Sequence, residues 1–224
     1  MQVRAAAAFF GLTIMAFVTA PAFAVTNSVT TKTPALWHMD ETSGTTMFDS
    51  GDAPANDGTL TNVTLGVAGI NGTTGYGFTR GYVTVPDQNS LNPGSANLVV
   101  QISASPSSLP ASGDFDVIRK GDSPGQQYKM EILQSGALSC GFRGSIKSAT
   151  VISTTLIGAN TGYHTLKCVK TTYQIKAFVD GVGTALNAKI GSISNSQAVV
   201  IGAHGSGTYD FYKGSLDEAS IATS

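Results

Sequence analysis

From Ala35 onward, apolar and polar positions alternate in short runs, each closed by Gly, Pro, Asn or Asp. A two-residue period places successive side chains on opposite faces of a strand. The pattern predicts strands over 35–39, 59–63, 82–85, 98–103, 115–119, 128–133, 163–169, 174–179, 198–201 and 214–221, and the residues around the two cysteines, 137–142 and 164–169, read the same way. Asn71-Gly72, Asn92-Pro93-Gly94, Ser123-Pro124-Gly125 and Asp180-Gly181 supply turn chemistry between them. The clearest unit is Gln174-Ile175-Lys176-Ala177-Phe178-Val179, where polar and apolar positions swap faces before Asp180-Gly181 turns the chain into a further strand. No long segment carries a 3.6-residue stripe. The predicted fold is all-β, a two-sheet antiparallel jelly-roll sandwich, in one domain over 34–224.

The N-terminus has a different pattern. Arg4 precedes an apolar run over 5–20, and Ala22-Phe23-Ala24 follows Pro21 as an A-x-A cleavage signal. These parts predict a secretory signal peptide over 1–24, since the run is shorter than the about 20 apolar residues a spanning helix needs. Residues 25–33 are polar and Thr-rich and read as a lead-in. A secreted, extracellular chain with no membrane span after cleavage is the expectation.

Composition narrows the function. The chain has 224 residues, 13 Lys+Arg against 14 Asp+Glu, and a net charge of -1, so the basic surface that nucleic-acid binding needs is absent. An apolar content of 42% with 12% charged residues excludes a disordered chain. In an exported protein Cys140 and Cys168 favour a structural disulfide, worth about 3 to 4 kcal/mol in the loop-entropy picture. Zinc is the weaker reading, because there is no C-x-x-C and His38, His164 and His204 show no ligand spacing; a free thiol is weaker still. Gly121-Asp122-Ser123-Pro124-Gly125 fits the G-x-S-x-G nucleophile pattern, but Pro124 has no N–H to offer an oxyanion, so a turn is expected. Gly75, Gly77 and Gly81 lack phosphate-loop spacing and read as strand ends.

Motifs along the chain carry a family resemblance. Ala35-Leu36-Trp37-His38-Met39-Asp40-Glu41-Thr42-Ser43-Gly44, with Asn56-Asp57-Gly58-Thr59-Leu60, resembles the opening of LamG-like jelly-roll domains of the concanavalin A-like lectin/glucanase superfamily. Tyr82-Val83-Thr84-Val85-Pro86-Asp87, then Tyr163-His164-Thr165-Leu166 with Phe178-Val179-Asp180-Gly181, resembles later strands of that family, Tyr163 standing where Trp is more frequent. Val200-Ile201-Gly202 and Tyr212-Lys213-Gly214-Ser215-Leu216-Asp217-Glu218-Ala219-Ser220-Ile221 resemble its closing strands. The resemblance implies two curved sheets with the first and last strands adjacent. It also implies a candidate structural Ca2+ held by Asp40 and Asp217, against the alternative that both bond nearby N–H groups. The cysteine pair resembles a variant of secreted bacterial members.

The superfamily holds lectins, glucanases, adhesion modules and receptors, so function rests on sites. Its glucanases resemble one another in glutamates alternating on one strand, which this chain lacks: Glu41, Glu131 and Glu218 are far apart. The reading is therefore a non-catalytic binding module. Its expected partner is an extracellular glycan, with a structural or adhesion protein that binds a cell-surface protein as the alternative and a degenerate glycoside hydrolase third. Trp37 reads as core. His204, Tyr209 and Tyr212 are the weak ligand-binding candidates, although alternation of Tyr209, Phe211 and Lys213 equally fits one face of a strand. Asn62 and Asn71 head sequons that matter only in a glycosylating host.

Overall fold

The computed structural model describes residues 31–52, 54–205 and 207–224. The expected signal peptide and most of the lead-in lie outside the described residues. The strands are β1 (Lys32–Trp37), β2 (Thr46–Met47), β3 (Gly58–Thr61), β4 (Thr64–Ala68), β5 (Thr74–Phe78), β6 (Tyr82–Val85), β7 (Leu98–Pro106) and β8 (Asp114–Lys120). They continue with β9 (Gln127–Leu133), β10 (Ala137–Arg143), β11 (Ser148–Leu156), β12 (His164–Lys170), β13 (Gln174–Val179), β14 (Val182–Asn187), β15 (Val199–Ile201) and β16 (Gly214–Thr223).

Two antiparallel sheets result, as the alternation predicted. One runs β14-β13-β12-β7-β16-β5-β4, with β1 also paired to β16; the other runs β11-β10-β9-β8-β15-β6-β3-β2. Local chemistry explains the turn read most clearly from sequence. Val179 pairs with Val182, and Asp180 (φ 50°) and Gly181 (φ 81°) both adopt positive φ, as the twist of a two-residue hairpin requires.

Four strands depart from expectation. β2, β4, β5 and β11 lie outside the predicted runs, and Gly75 and Gly77 lie inside β5 rather than at a strand end. Gly75 is there because the backbone is crowded: a Cβ would stand 3.1 Å from both the Leu216 carbonyl and the Tyr163 hydroxyl. β1 begins at Lys32, inside the expected lead-in, because Lys32 pairs with Thr223.

The inward faces bury Trp37, Tyr76, Tyr128, Phe142 and Tyr212 together with aliphatic side chains from both sheets. Trp37 sits in this core as expected, its indole N–H donating to the Asn56 carbonyl at 2.8 Å. Cys140 on β10 and Cys168 on β12 form a disulfide, so one covalent bond joins the two sheets through the core. Replacing both cysteines by Ser should lower the unfolding free energy by about 3 to 4 kcal/mol. Denaturant titration checks this, and a loss below about 1 kcal/mol would show that the core holds the sheets without the bond.

Candidate functional site

The site grows from one irregularity in β8. Asp116 pairs with Glu131 and Ile118 with Met130, so Val117 is an extra residue against β9. Such a bulge resets the alternation. Val117 and Ile118 are both buried in the core, while Asp116 and Arg119, three positions apart, meet on the outer face, where Arg119 Nη1 donates to Asp116 Oδ2 at 2.9 Å.

The bulge also docks the loop 202–213. Gly202 leaves β15 at φ +87° and its N–H donates to the Val117 carbonyl at 2.9 Å. The loop returns where the Asp116 N–H donates to the Asp210 carbonyl at 3.0 Å, and the Tyr212 N–H closes its base on the Gly202 carbonyl at 2.9 Å. Tyr209, Phe211 and Lys213 therefore belong to this loop and not to a strand face. Tyr212 is corrected as a ligand candidate: it is fully buried, edge-on to Phe78 and Phe115, and anchors the loop from inside.

His204 and Tyr209 do come together. Their rings stack at 4.1 Å between centroids with an 18° interplanar angle, and the Tyr209 hydroxyl lies 3.1 Å from His204 Nε2. The exposed Tyr209 and the largely buried His204 stand beside a recess of about 500 Å³ on the outer face, lined also by Tyr82, Thr84, Arg119 and Asp122. Burial, reinforced by the Arg119 charge, lowers the His204 pKa below 6.5. At neutral pH the stacked face is thus a neutral ring. Gln197 on the recess wall is held by Lys120, whose buried ammonium donates to Asp87 Oδ1 (2.6 Å), the Gln197 carbonyl (2.7 Å), and the Asn195 carbonyl (2.9 Å) and Oδ1 (3.2 Å).

Behind this recess lies an acidic cluster that sequence reading missed. One carboxylate oxygen each from Asp114, Asp116 and Asp210 lies within 4.8 Å of the others. Burial pushes the Asp114 carboxyl up to about 6, aided by Glu131 and Asp210, and the Asp116 carboxyl up to about 7 against the pull of Arg119. Asp114 and Asp116 alternate within β8, which was legible, but their approach to Glu131 and Asp210 depends on strand register and on the loop. Asp116 is wholly buried, while Asp114 and Asp210 are part-buried and line a second recess. Glu131 is occupied by Lys129 and by the Ser139 hydroxyl. The G-x-S-x-G segment is a turn between β8 and β9, with no helix after it.

Asp40 and Asp217 both lie at the junction of β1, β5 and β16, bridged by Thr73 and Thr74. The Asp217 carboxylate accepts from the Ile70 N–H (2.8 Å), the Thr73 hydroxyl (3.1 Å) and the Glu218 N–H (3.0 Å). Asp40 accepts from Thr74 through its carbonyl at 3.0 Å. Glu218 takes His38 at 3.0 Å, and Glu41 takes the Tyr76 hydroxyl and the Phe48 N–H.

No protein-family model and no curated protein matches the sequence. The fold is nevertheless shared with solved structures. The binding domain of Paraclostridial Mosquitocidal Protein 1 is similar over 85% of this chain and 48% of its own, with 14% identity and a TM-score of 0.67. Domain 4 of AbnA, a GH43 extracellular arabinanase from Geobacillus stearothermophilus, in complex with arabinotriose, is similar over 86% and 93%, with 16% identity and a TM-score of 0.59. Botulinum neurotoxin type C, whose cell entry is dependent upon interaction with two ganglioside molecules, is similar over 85% and 47%, with 12% identity and a TM-score of 0.60. The chain thus spans about half the length of the toxin chains and nearly all of the arabinanase domain. At these identities the likeness shows the fold alone, a jelly-roll sandwich.

The acidic cluster makes a pH prediction. A carboxyl whose pKa is raised on folding stabilises fully below its unfolded value, here 3.8, and that contribution is lost as pH rises through about 6 for Asp114 and about 7 for Asp116. His204 opposes this, since its lowered pKa costs stability as pH falls below 6.5. Without added metal, melting temperature should fall from about pH 5 to about pH 8, and Asp114→Asn should flatten the fall. A wild-type melting temperature that climbs across that range contradicts the assignment.

Proposed function

We propose that the protein is a secreted, non-catalytic carbohydrate-binding module of LamG-like type, and that the glycan docks in the recess beside His204 and Tyr209. The observation that carries the reading is the exposed Tyr209 ring, stacked on His204, at the mouth of a recess with both apolar and polar lining. A sugar ring has an apolar C–H face that packs on a π surface and a rim of hydroxyls that needs donors and acceptors. Tyr209 supplies the first, and Thr84, Asp122, Gln197 and Thr208 supply the second. The similarity to an arabinanase domain crystallised with arabinotriose supports the same use of this sandwich. Secretion rests on the N-terminal signal pattern and agrees with the disulfide.

A second reading, a module that docks a protein, draws on a different surface. Edge strands β11 and β14 meet through Thr154 and Thr184 and expose Ile152, Leu156, Val182 and Leu186. A glycan array separates the two. Wild type should retain a defined set of oligosaccharides, and Tyr209→Ala should weaken them at least about tenfold, a loss of about 1.4 kcal/mol, with the fold intact. Retention unchanged in Tyr209→Ala would remove the recess as the site. No retained glycan, with binding to a protein lost on Leu186→Asp, would favour the second reading. Release of reducing ends by purified protein would overturn the non-catalytic assignment.

A further inference from the structure

We infer that Asp114, Asp116 and Asp210 form a divalent-cation site that takes Ca2+. Acidic clusters on protein surfaces are common, but this one has two features that ordinary clusters lack. Asp116 is buried, with a side chain 1% exposed, and although Oδ2 takes Arg119, its Oδ1 has no hydrogen-bond donor among the described residues. Asp114 Oδ1 is also buried without a donor among them. A carboxylate oxygen stripped of water and left unpaired is costly, and a cation is the partner that two such oxygens facing a third carboxylate would share.

The surrounding charges do not supply that partner. Arg119 gives its two terminal nitrogens to Asp116, Gln127 and Asp122, its Nε being buried without an acceptor among the described residues, and Lys129 is taken by Glu131. Arg80 stacks over the Phe211 ring at 5.4 Å, and Lys213 lines the neighbouring recess; neither forms an ion pair with Asp114 or Asp210 among the described residues. The neighbouring recess, about 430 Å³ and lined by Asp114 and Asp210, gives an ion and its waters a path from solvent.

Chemistry selects the ion. All three side chains offer hard oxygen ligands, which suit Ca2+, Mg2+ or Mn2+ and not zinc or copper. Ca2+ accepts about six to eight oxygens in irregular arrangements, which suits three carboxylates from a bulged strand and a loop, with oxygens within 4.8 Å of one another. Mg2+ demands a near-ideal octahedron and is the poorer match. The site differs from the Asp40 and Asp217 junction, where the buried carboxylate already accepts three hydrogen bonds.

Isothermal titration of the purified protein with CaCl2, paired with melting in CaCl2 and in EDTA, tests the inference. One Ca2+ should bind per chain and raise the melting temperature, and Asp210→Asn, which changes a half-buried loop residue, should abolish both effects. Asp114→Asn should separate the two conditions: a higher melting temperature than wild type in EDTA, where it relieves repulsion, and no gain from CaCl2. A wild-type melting temperature identical in both conditions, with no titration heat, overturns the site. So does a calcium effect that survives Asp210→Asn and Asp114→Asn but disappears in Asp40→Asn.

Discussion

The extra residue Val117 in β8 is the constraint on which the outer face of the second sheet depends. Without it, side chains three positions apart would point to opposite faces, and Asp116 and Arg119 could not meet. Its carbonyl is also freed from the ladder to receive Gly202, which is where the chain leaves β15. One inserted residue therefore fixes both the charged groups on the sheet and the departure point of the loop that covers them.

The buried charges on that strand differ in how many partners they find. Lys120 points to the rim and finds four oxygen acceptors, which hold the segment around Asn195 and Gln197 in place, although burial still lowers its pKa. Asp116, one bulge away, finds only Arg119, and burial wins over that single ion pair, as its raised pKa records. A buried carboxylate with a single ion-pair partner leaves an electrostatic imbalance where the loop crosses the sheet. Neutralising that imbalance would tie Asp210, and with it the segment from His204 to Tyr209, to β8.

Most strands were legible because alternation is a local property, and β6 and β13 emerged with the predicted bounds. β5 was not, since Gly75 and Gly77 answer to crowding from Leu216 and Val67, which no local pattern encodes. The pairing of Cys140 with Cys168 was readable from an even count, but not that it would join one sheet to the other. His204 and Tyr209 were found as an aromatic and polar cluster close in sequence. Tyr212, two residues beyond Asp210, was placed with them wrongly, because the turn at Asp210 (φ 50°) reverses which side faces solvent. The acidic cluster escaped because its members come from a bulged strand and a distant loop, and only register unites them.

The scaffold and the site are held by interactions of different kinds. The sheets share a wide apolar core and a disulfide, both insensitive to the ionic content of the solvent. The loop 202–213 is tied by the Tyr212 ring, three backbone hydrogen bonds and the Asp116 and Asp210 neighbourhood, whose strength depends on protonation and, under the proposed cation site, on bound Ca2+. Conditions that leave the sandwich untouched can therefore still alter how firmly the His204–Tyr209 platform is held. Order in a binding loop before a ligand arrives reduces the entropy lost on binding, so under the proposed function the charge state behind the loop would enter the affinity of the recess without touching the glycan.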